Sequence, residues 1–223
     1  MSDNATFEDD RALRYDNFIQ TWMPNYDYLQ RTIARLLVGK VREGTVLVVG
    51  CGTGNEIKKL IDQGLTLPIT GVDPSPDLVK VARQKLKEFE QVELRDGHVK
   101  DLPQDLNFSA ATLLLVMHFL PDDGSKLGLL KNISHRLKPG APFFLASVFG
   151  SLEELRANLS VLQASLPLGI PLEDQEKHFA RIEETIYYIP EARLFELLEE
   201  AGFETPVRFF QSSIYGGWLT RKK

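Results

Sequence analysis

Cysteine is nearly missing. The chain has 223 residues and a single cysteine, Cys51, which excludes an intrachain disulfide and any cysteine-rich metal site. Long apolar runs are missing too: none approaches the ~18 residues of a membrane-spanning helix. The opening residues, MSDNATFEDDR, are polar and acidic, unlike the basic and then apolar start of a secretory signal. Positive charge is not in excess. Lys and Arg number 26 against 31 Asp and Glu, a net charge of −5, so no overall field gathers nucleic acid. Repeats and low-complexity stretches are absent. These absences point to a cytoplasmic globular protein with no nucleic-acid partner, no membrane association and no metal. A homodimer stays open. Hydrophobic residues make up 43% of the chain, enough at this length for one large domain with a sizeable core.

What is present is an alternation of two periodicities. Helical patterns over 12–22 and 25–38 are separated by Pro24, which breaks a helix. Residues 46–49 are apolar on both faces, as in a central parallel strand covered on both sides. A helix over 55–63 follows, ended by Gly64. The unit then repeats: a strand at 68–72, Ser75 as N-cap with Pro76 at the first helical position, a helix to about 90, and a strand at 92–95. A strand over 110–117, a helix over 125–137 and a strand over 142–148 complete the alternation. This pattern means an α/β fold with a parallel sheet. Residues 151–189 read as helix, loop and helix, broken at 166–171, and 191–201 as a last helix. Strands at 207–211 and 218–221 are too close for a helical crossover, so they form an antiparallel hairpin.

The richest stretch is TVLVVGCGTG, residues 45–54. Gly50, Gly52 and Gly54 lack a Cβ, so the turn can be tight and a ligand can approach the backbone. The helix behind them presents free N–H groups to an anion. The partner to seek is an acid at the end of the next strand, about 20 residues on, for ribose hydroxyls. Asp73 stands there. The nicotinamide-dinucleotide fingerprint does not fit, because the third glycine comes one residue early. Cys51 reads as a small packing residue rather than a nucleophile.

At this point the sequence resembles the class I S-adenosylmethionine-dependent methyltransferases, whose glycine loop runs close to V-L-D-x-G-C-G-T-G. The resemblance spans about residues 25–222. It implies a Rossmann-like seven-stranded sheet of order 3-2-1-4-5-7-6, flanked by helices, and S-adenosyl-L-methionine as cofactor. It divides the chain into an N-terminal helical lid (1–40) and a methyltransferase domain (41–223) with a substrate-cap insertion at about 151–189. It also implies roles position by position. Gly50, Cys51 and Gly52 pass under the methionine part, with Gly54 closing the loop. Asp73 holds the ribose and Pro74 lies beside the adenine. The stretch GHVKDLP (97–103) looks like the family's G-D-A-x-D-L-P, which sets His98 and Val99 at the adenine edge. Leu114 and Leu115 belong to the fourth strand, whose end lies below the sulfur. Three positions depart from the family: Val48 and His98 stand where acids are usual, the former near the cofactor's amino group, and Ser109 replaces an Asp.

The acceptor side is read from the lid and the insertion. Tyr26, in the stretch Met23-Pro24-Asn25-Tyr26, looks like the V-P-G-Y tyrosine of the carboxy-S-adenosylmethionine synthases and is expected to touch both cofactor and acceptor. Trp22 is either an acceptor contact or part of a packed face with Phe18 four residues away. His178 is either an acceptor-side group or a surface or capping histidine. Of Tyr187 and Tyr188, which alternate sides, one faces the core and one the pocket; Tyr188 is assigned to the acceptor. His118 has two readings: a general base, or a packed residue near the strand end. The leading function is methyl transfer to a small molecule by in-line displacement. A carboxy-S-adenosylmethionine synthase-like enzyme is the second reading, although Leu197 stands where that family carries an arginine and only Arg193 is near enough to substitute. A non-catalytic cofactor-binding module is the third. A protein acceptor stays open.

Overall fold

The computed structural model describes residues 10–223, with side chains from Asp16 onward. Its centre is a seven-stranded sheet of order β3-β2-β1-β4-β5-β7-β6. The strands are β1 (Val46–Val49), β2 (Ile69–Asp73), β3 (Val92–Asp96), β4 (Ala110–Leu114), β5 (Pro142–Val148), β6 (Val207–Ser212) and β7 (Tyr215–Arg221). The first five are mutually parallel, and β7 runs antiparallel to both β5 and β6. The sheet order and the terminal hairpin are those expected.

Burial accounts for the arrangement. Every residue of β1, β4 and β5 is buried, because helices cover both faces. Alternation sends Val46, Val48, Leu114 and Phe144 to one core, and Leu47, Val49, Leu113 and Phe143 to the other. The first core is closed by α2 (Tyr26–Lys40), α3 (Asn55–Asp62) and α6 (Leu152–Ser165), through Leu29, Ile57 and Leu155 among others. The second is closed by α5 (Ser125–Ser134) and α8 (Glu191–Glu200), through Leu130 and Leu197. Helix α1 (Asp10–Trp22) lies against α2 and α4 (Pro76–Leu86), and α7 (Leu172–Thr185) sends Ile182 into the first core.

Several boundaries differ from expectation, each for a local reason. β4 ends at Leu114 rather than 117, because Leu115 takes φ 60, a left-handed conformation that cannot continue a strand. Met117–Phe119 is instead a 3₁₀ turn. Helices α4 and α5 stop before 90 and 137. Their last residues switch to i→i−3 bonds, such as Phe89 N to Leu86 O and Leu137 N to Ser134 O, the tighter winding common at helix ends. Ser75 sits at the N-cap of α4 without a side-chain capping bond; its own N–H donates to Asp73 Oδ1 at 2.9 Å. The hairpin is tighter than expected, with Ser212 paired to Tyr215 and both Gly216 and Gly217 inside β7. These glycines mark close packing, not a turn. A Cβ on Gly216 would strike the rings of Trp218 and Phe149, and one on Gly217 would press on Phe210 and Phe209.

Candidate functional site

The glycine turn joins β1 to α3. Gly50, Gly52 and Gly54 take φ values of 71, 52 and 82, which other residues adopt only with strain. Gly50 and Gly54 are also packed: their missing Cβ positions face Val116, and Leu86 with Ala82. Gly52 differs, because a Cβ there would meet nothing within 4 Å. The turn is anchored at both ends and open in its middle. It leads into α3, whose N-terminus has no side-chain cap and leaves N–H groups for an anion.

Asp73 closes the turn from β2. Its Oδ2 accepts the Gly52 N–H and its Oδ1 the Ser75 N–H, both at 2.9 Å. Burial raises its pKa; the two N–H donors and nearby His98 pull the other way. Each carboxylate oxygen keeps a second lone pair, so the acid can still accept two hydroxyls. Pro74 beside it is exposed and His98 is exposed, while Val99 is buried at the start of a 3₁₀ turn, Val99–Asp101. The His98 N–H donates to Asp101 Oδ2 at 3.0 Å. Leu114 and Leu115 are buried where β4 ends. Gly50, Asp73, Val99 and Leu115 therefore lie around the carboxyl ends of β1, β2 and β4, where open α/β sheets bind ligands. Cys51 is buried and free. Burial, then Asp73 and Glu56, push its thiol pKa up, so it stays protonated and unreactive.

His118 lies in the 3₁₀ turn beyond β4 and is buried. Its Nδ1 accepts the Val148 N–H at 3.3 Å and lies 3.2 Å from Ser147 Oγ, so the ring hydrogen sits on Nε2. Burial, followed by the neighbouring Lys126 charge, lowers its pKa to about 3. The basic lone pair already accepts a backbone N–H, an arrangement that favours the packed reading over the proton-accepting one.

Helices α1 and α7 meet in an aromatic cluster. The ring centroids of Trp22 and His178 are 4.1 Å apart, and those of Phe18 and His178 are 5.4 Å apart. His178 Nε2 is buried with no hydrogen-bond partner. Burial, then Arg181, lowers the pKa of this ring to about 4; it is not a solvated surface group. Tyr188 packs on the first core and Tyr187 is exposed, so Tyr187 faces solvent rather than core or pocket. Tyr26 begins α2, and its hydroxyl accepts from Gln30 Nε2 at 2.6 Å. It lines an open cleft of about 670 Å³ together with Met23, Gln30, Asn55 and Lys59. Arg193 is held by Asp122 and Glu196 at 2.9 Å each, and Leu197 is fully buried in the second core. Neither stands ready for a second carboxylate. Among the described residues, no group of three or more His, Cys, Asp or Glu is placed to hold a metal ion, and no helix is long and apolar enough to cross a membrane.

Three features escaped the sequence reading. Asp16 of α1 ties the lid to the glycine turn: its carboxylate accepts from the Thr53 hydroxyl, from Asn55 Nδ2 at 2.7 Å and from Lys85 Nζ at 2.6 Å. Lys126 is wholly buried, and its ammonium donates to the carbonyls of Met117 (2.8 Å), Leu120 (2.6 Å) and Tyr187 (2.6 Å). Glu56, on α3, is a buried acid. A signal existed for the last two. Glu56 lies four residues before Leu60, and Lys126 four and seven before Leu130 and Ile133, so helical spacing puts both on buried stripes. Asp16 had no such signal, since its partners lie in distant segments.

Known proteins resemble this chain in sequence and in fold. A family model described as a methyltransferase domain matches residues 46–140. A demethylmenaquinone methyltransferase from Listeria monocytogenes serotype 4b (strain CLIP80459) is 29% identical over 211 residues, covering 85% of this chain and 86% of that protein. A ubiquinone biosynthesis O-methyltransferase from Xanthomonas campestris pv. campestris (strain B100) is 35% identical over 106 residues, 46% of this chain and 42% of that one. Among solved structures, human N-acetylserotonin methyltransferase in complex with S-adenosylmethionine superposes with a TM-score of 0.68 at 20% identity. It covers 100% of this chain and 60% of its own.

Proposed function

We propose that this chain, which is similar to methyltransferases over residues 46–140 and to a demethylmenaquinone methyltransferase over 85% of its length, is a class I S-adenosylmethionine-dependent methyltransferase that moves the sulfonium methyl group to a small-molecule acceptor by in-line displacement. The observation that carries the reading is the coupling of turn and acid: Asp73 accepts at 2.9 Å the N–H of Gly52, the glycine that opens on free space. Gly50, Cys51, Gly52 and Gly54 would cradle the methionine end. Asp73 would accept the ribose hydroxyls, and Pro74, His98 and Val99 would border the adenine, with Leu114 and Leu115 beneath the sulfur. Cofactor binding supplies an activated methyl. When bound, the cofactor would serve as methyl donor to a nucleophilic O, N or C of the acceptor, the C–S bond electrons staying with the departing thioether. The acceptor's proton leaves to solvent, since His118 is not free to take it. Alignment of acceptor and methyl then supplies much of the rate.

The lid at 1–40 and the cap at 151–189 are proposed to enclose the acceptor. Trp22, Tyr26, His178 and Tyr188 would contribute its walls, a largely aromatic set suited to a planar apolar molecule. The relatives named for demethylmenaquinone and ubiquinone biosynthesis support a small-molecule acceptor over a macromolecule. Titration calorimetry with S-adenosylmethionine and S-adenosylhomocysteine tests the reading. Saturable binding of both is expected, and binding of neither would overturn it.

A further inference from the structure

Glu56 is a buried acid with nothing to neutralise it. It is the second residue of α3 and only 7% exposed. Its Oε1 is buried without a hydrogen-bond partner, and so is Thr112 Oγ1 beside it. Among the described residues no Lys, Arg or His pairs with it. Burial raises its pKa to about 7, an effect the Thr112 hydroxyl partly offsets. An uncompensated carboxylate in such a place is costly, and an arriving cation relieves that cost.

Its neighbours locate the carboxyl. Thr112 lies in register with Val48 across β4 and β1. The Glu56 charge also reaches the Cys51 thiol inside the glycine turn. The carboxyl therefore lies by Thr112, on the face of the sheet that carries Val48 and close enough to the glycine turn for its charge to be felt there. An acid borne by the helix faces a strand position that is apolar. The cofactor brings two cationic groups to this turn. A sulfonium has no N–H, whereas an α-ammonium has three donors and can bond a carboxylate and a hydroxyl together.

We propose that Glu56, with Thr112, receives the α-ammonium of the cofactor's methionine end, supplying from α3 the charge that Val48 cannot supply from β1. This rests on the cofactor reading above.

The test compares two ligands. S-adenosylhomocysteine carries the ammonium. 5′-Methylthioadenosine keeps the adenosine and the thioether but lacks the amino-acid end. Glu56→Gln preserves shape and removes the charge. By calorimetry it should weaken S-adenosylhomocysteine about 10- to 100-fold, the scale of a charge-assisted bond, and leave 5′-methylthioadenosine unchanged. Unchanged binding of the second ligand also shows that the variant is folded. The double variant Val48→Asp/Glu56→Gln, which returns the acid to the strand, should recover affinity for S-adenosylhomocysteine alone. Equal weakening of both ligands by Glu56→Gln, or no weakening of either, overturns the assignment. Failure of the unaltered protein to bind either ligand overturns the cofactor reading itself.

Discussion

Asp73 holds Gly52 and Ser75 through their N–H groups at 2.9 Å, so the same carboxylate shapes the turn and offers lone pairs to a ligand. Asp73→Ala removes both functions. Its affinity for S-adenosylhomocysteine should fall about 100-fold or more, as expected for two bonds to a charged group; unchanged affinity in calorimetry would refute the ribose assignment. His118 makes the opposite prediction. Its pKa is held near 3 by burial, so it stays neutral through the physiological range. The pH profile of kcat/KM should show no limb that disappears in His118→Gln, and a lost limb near about 6.5, the ordinary histidine value, would restore the base role. Asp73 was legible from spacing alone, because strand, turn and acid are local. The state of His118 was not, since it depends on the Val148 N–H, thirty residues away in the chain.

Among the elements, the 3₁₀ turn after β4 and the segment leaving α7 are joined through Lys126. Its ammonium serves Met117, Leu120 and Tyr187, and the Tyr187 N–H adds a bond to His118 O at 2.8 Å. The segment leaving α7 is thereby fastened to the rim of the candidate site. Lys126→Met fills the space but leaves three carbonyls without donors. It should cost about 2–4 kcal/mol, at roughly 1 kcal/mol or more for each unsatisfied buried group. Thermal unfolding measures this, and a loss under about 1 kcal/mol would show that water replaces the ammonium freely. The strands and helices themselves were readable from periodicity. The hairpin was misread at Gly216 and Gly217, where glycine makes room for the Trp218 and Phe209 rings respectively rather than for a turn, and a neighbour's ring is invisible to local spacing.

Across the whole molecule, α1 and α7 meet although the sequence separates Trp22 from His178 by most of the chain. Their rings, tilted against each other with centroids 4.1 Å apart, bring α1 onto α7. His178 has a folded pKa of about 4 against an ordinary 6.5. As pH falls below 6.5 the unfolded chain takes up the proton first, so the folded state loses stability until about pH 4. His178→Phe keeps the ring and removes the titration. Its stability advantage over the natural chain should grow by about 1 kcal/mol between pH ~7.5 and ~5, allowing for the ring's partial exposure. Chemical denaturation at the two pH values measures it, and a constant difference would refute the buried neutral state. Glu56 contributes with the opposite sign. Its raised pKa, about 7, favours the folded state at low pH and loses that contribution as pH rises through 7, so the comparison must be made on the His178 variant.

The sequence by itself determined the sheet, its order and the cofactor class. The sheet follows from periodicity, whereas its order and the cofactor class follow from the family resemblance carried by Gly50, Gly52, Gly54 and the acid at the end of the next strand, all short-range features of the chain. Only the tertiary structure decided which charges are compensated. Asp16 finds Lys85, and Lys126 finds three carbonyls. His118 gives its lone pair to the backbone, and Glu56 Oε1 is left buried without a partner. Protonation and pairing depend on burial and on neighbours brought from elsewhere in the fold, and no spacing along a chain encodes them.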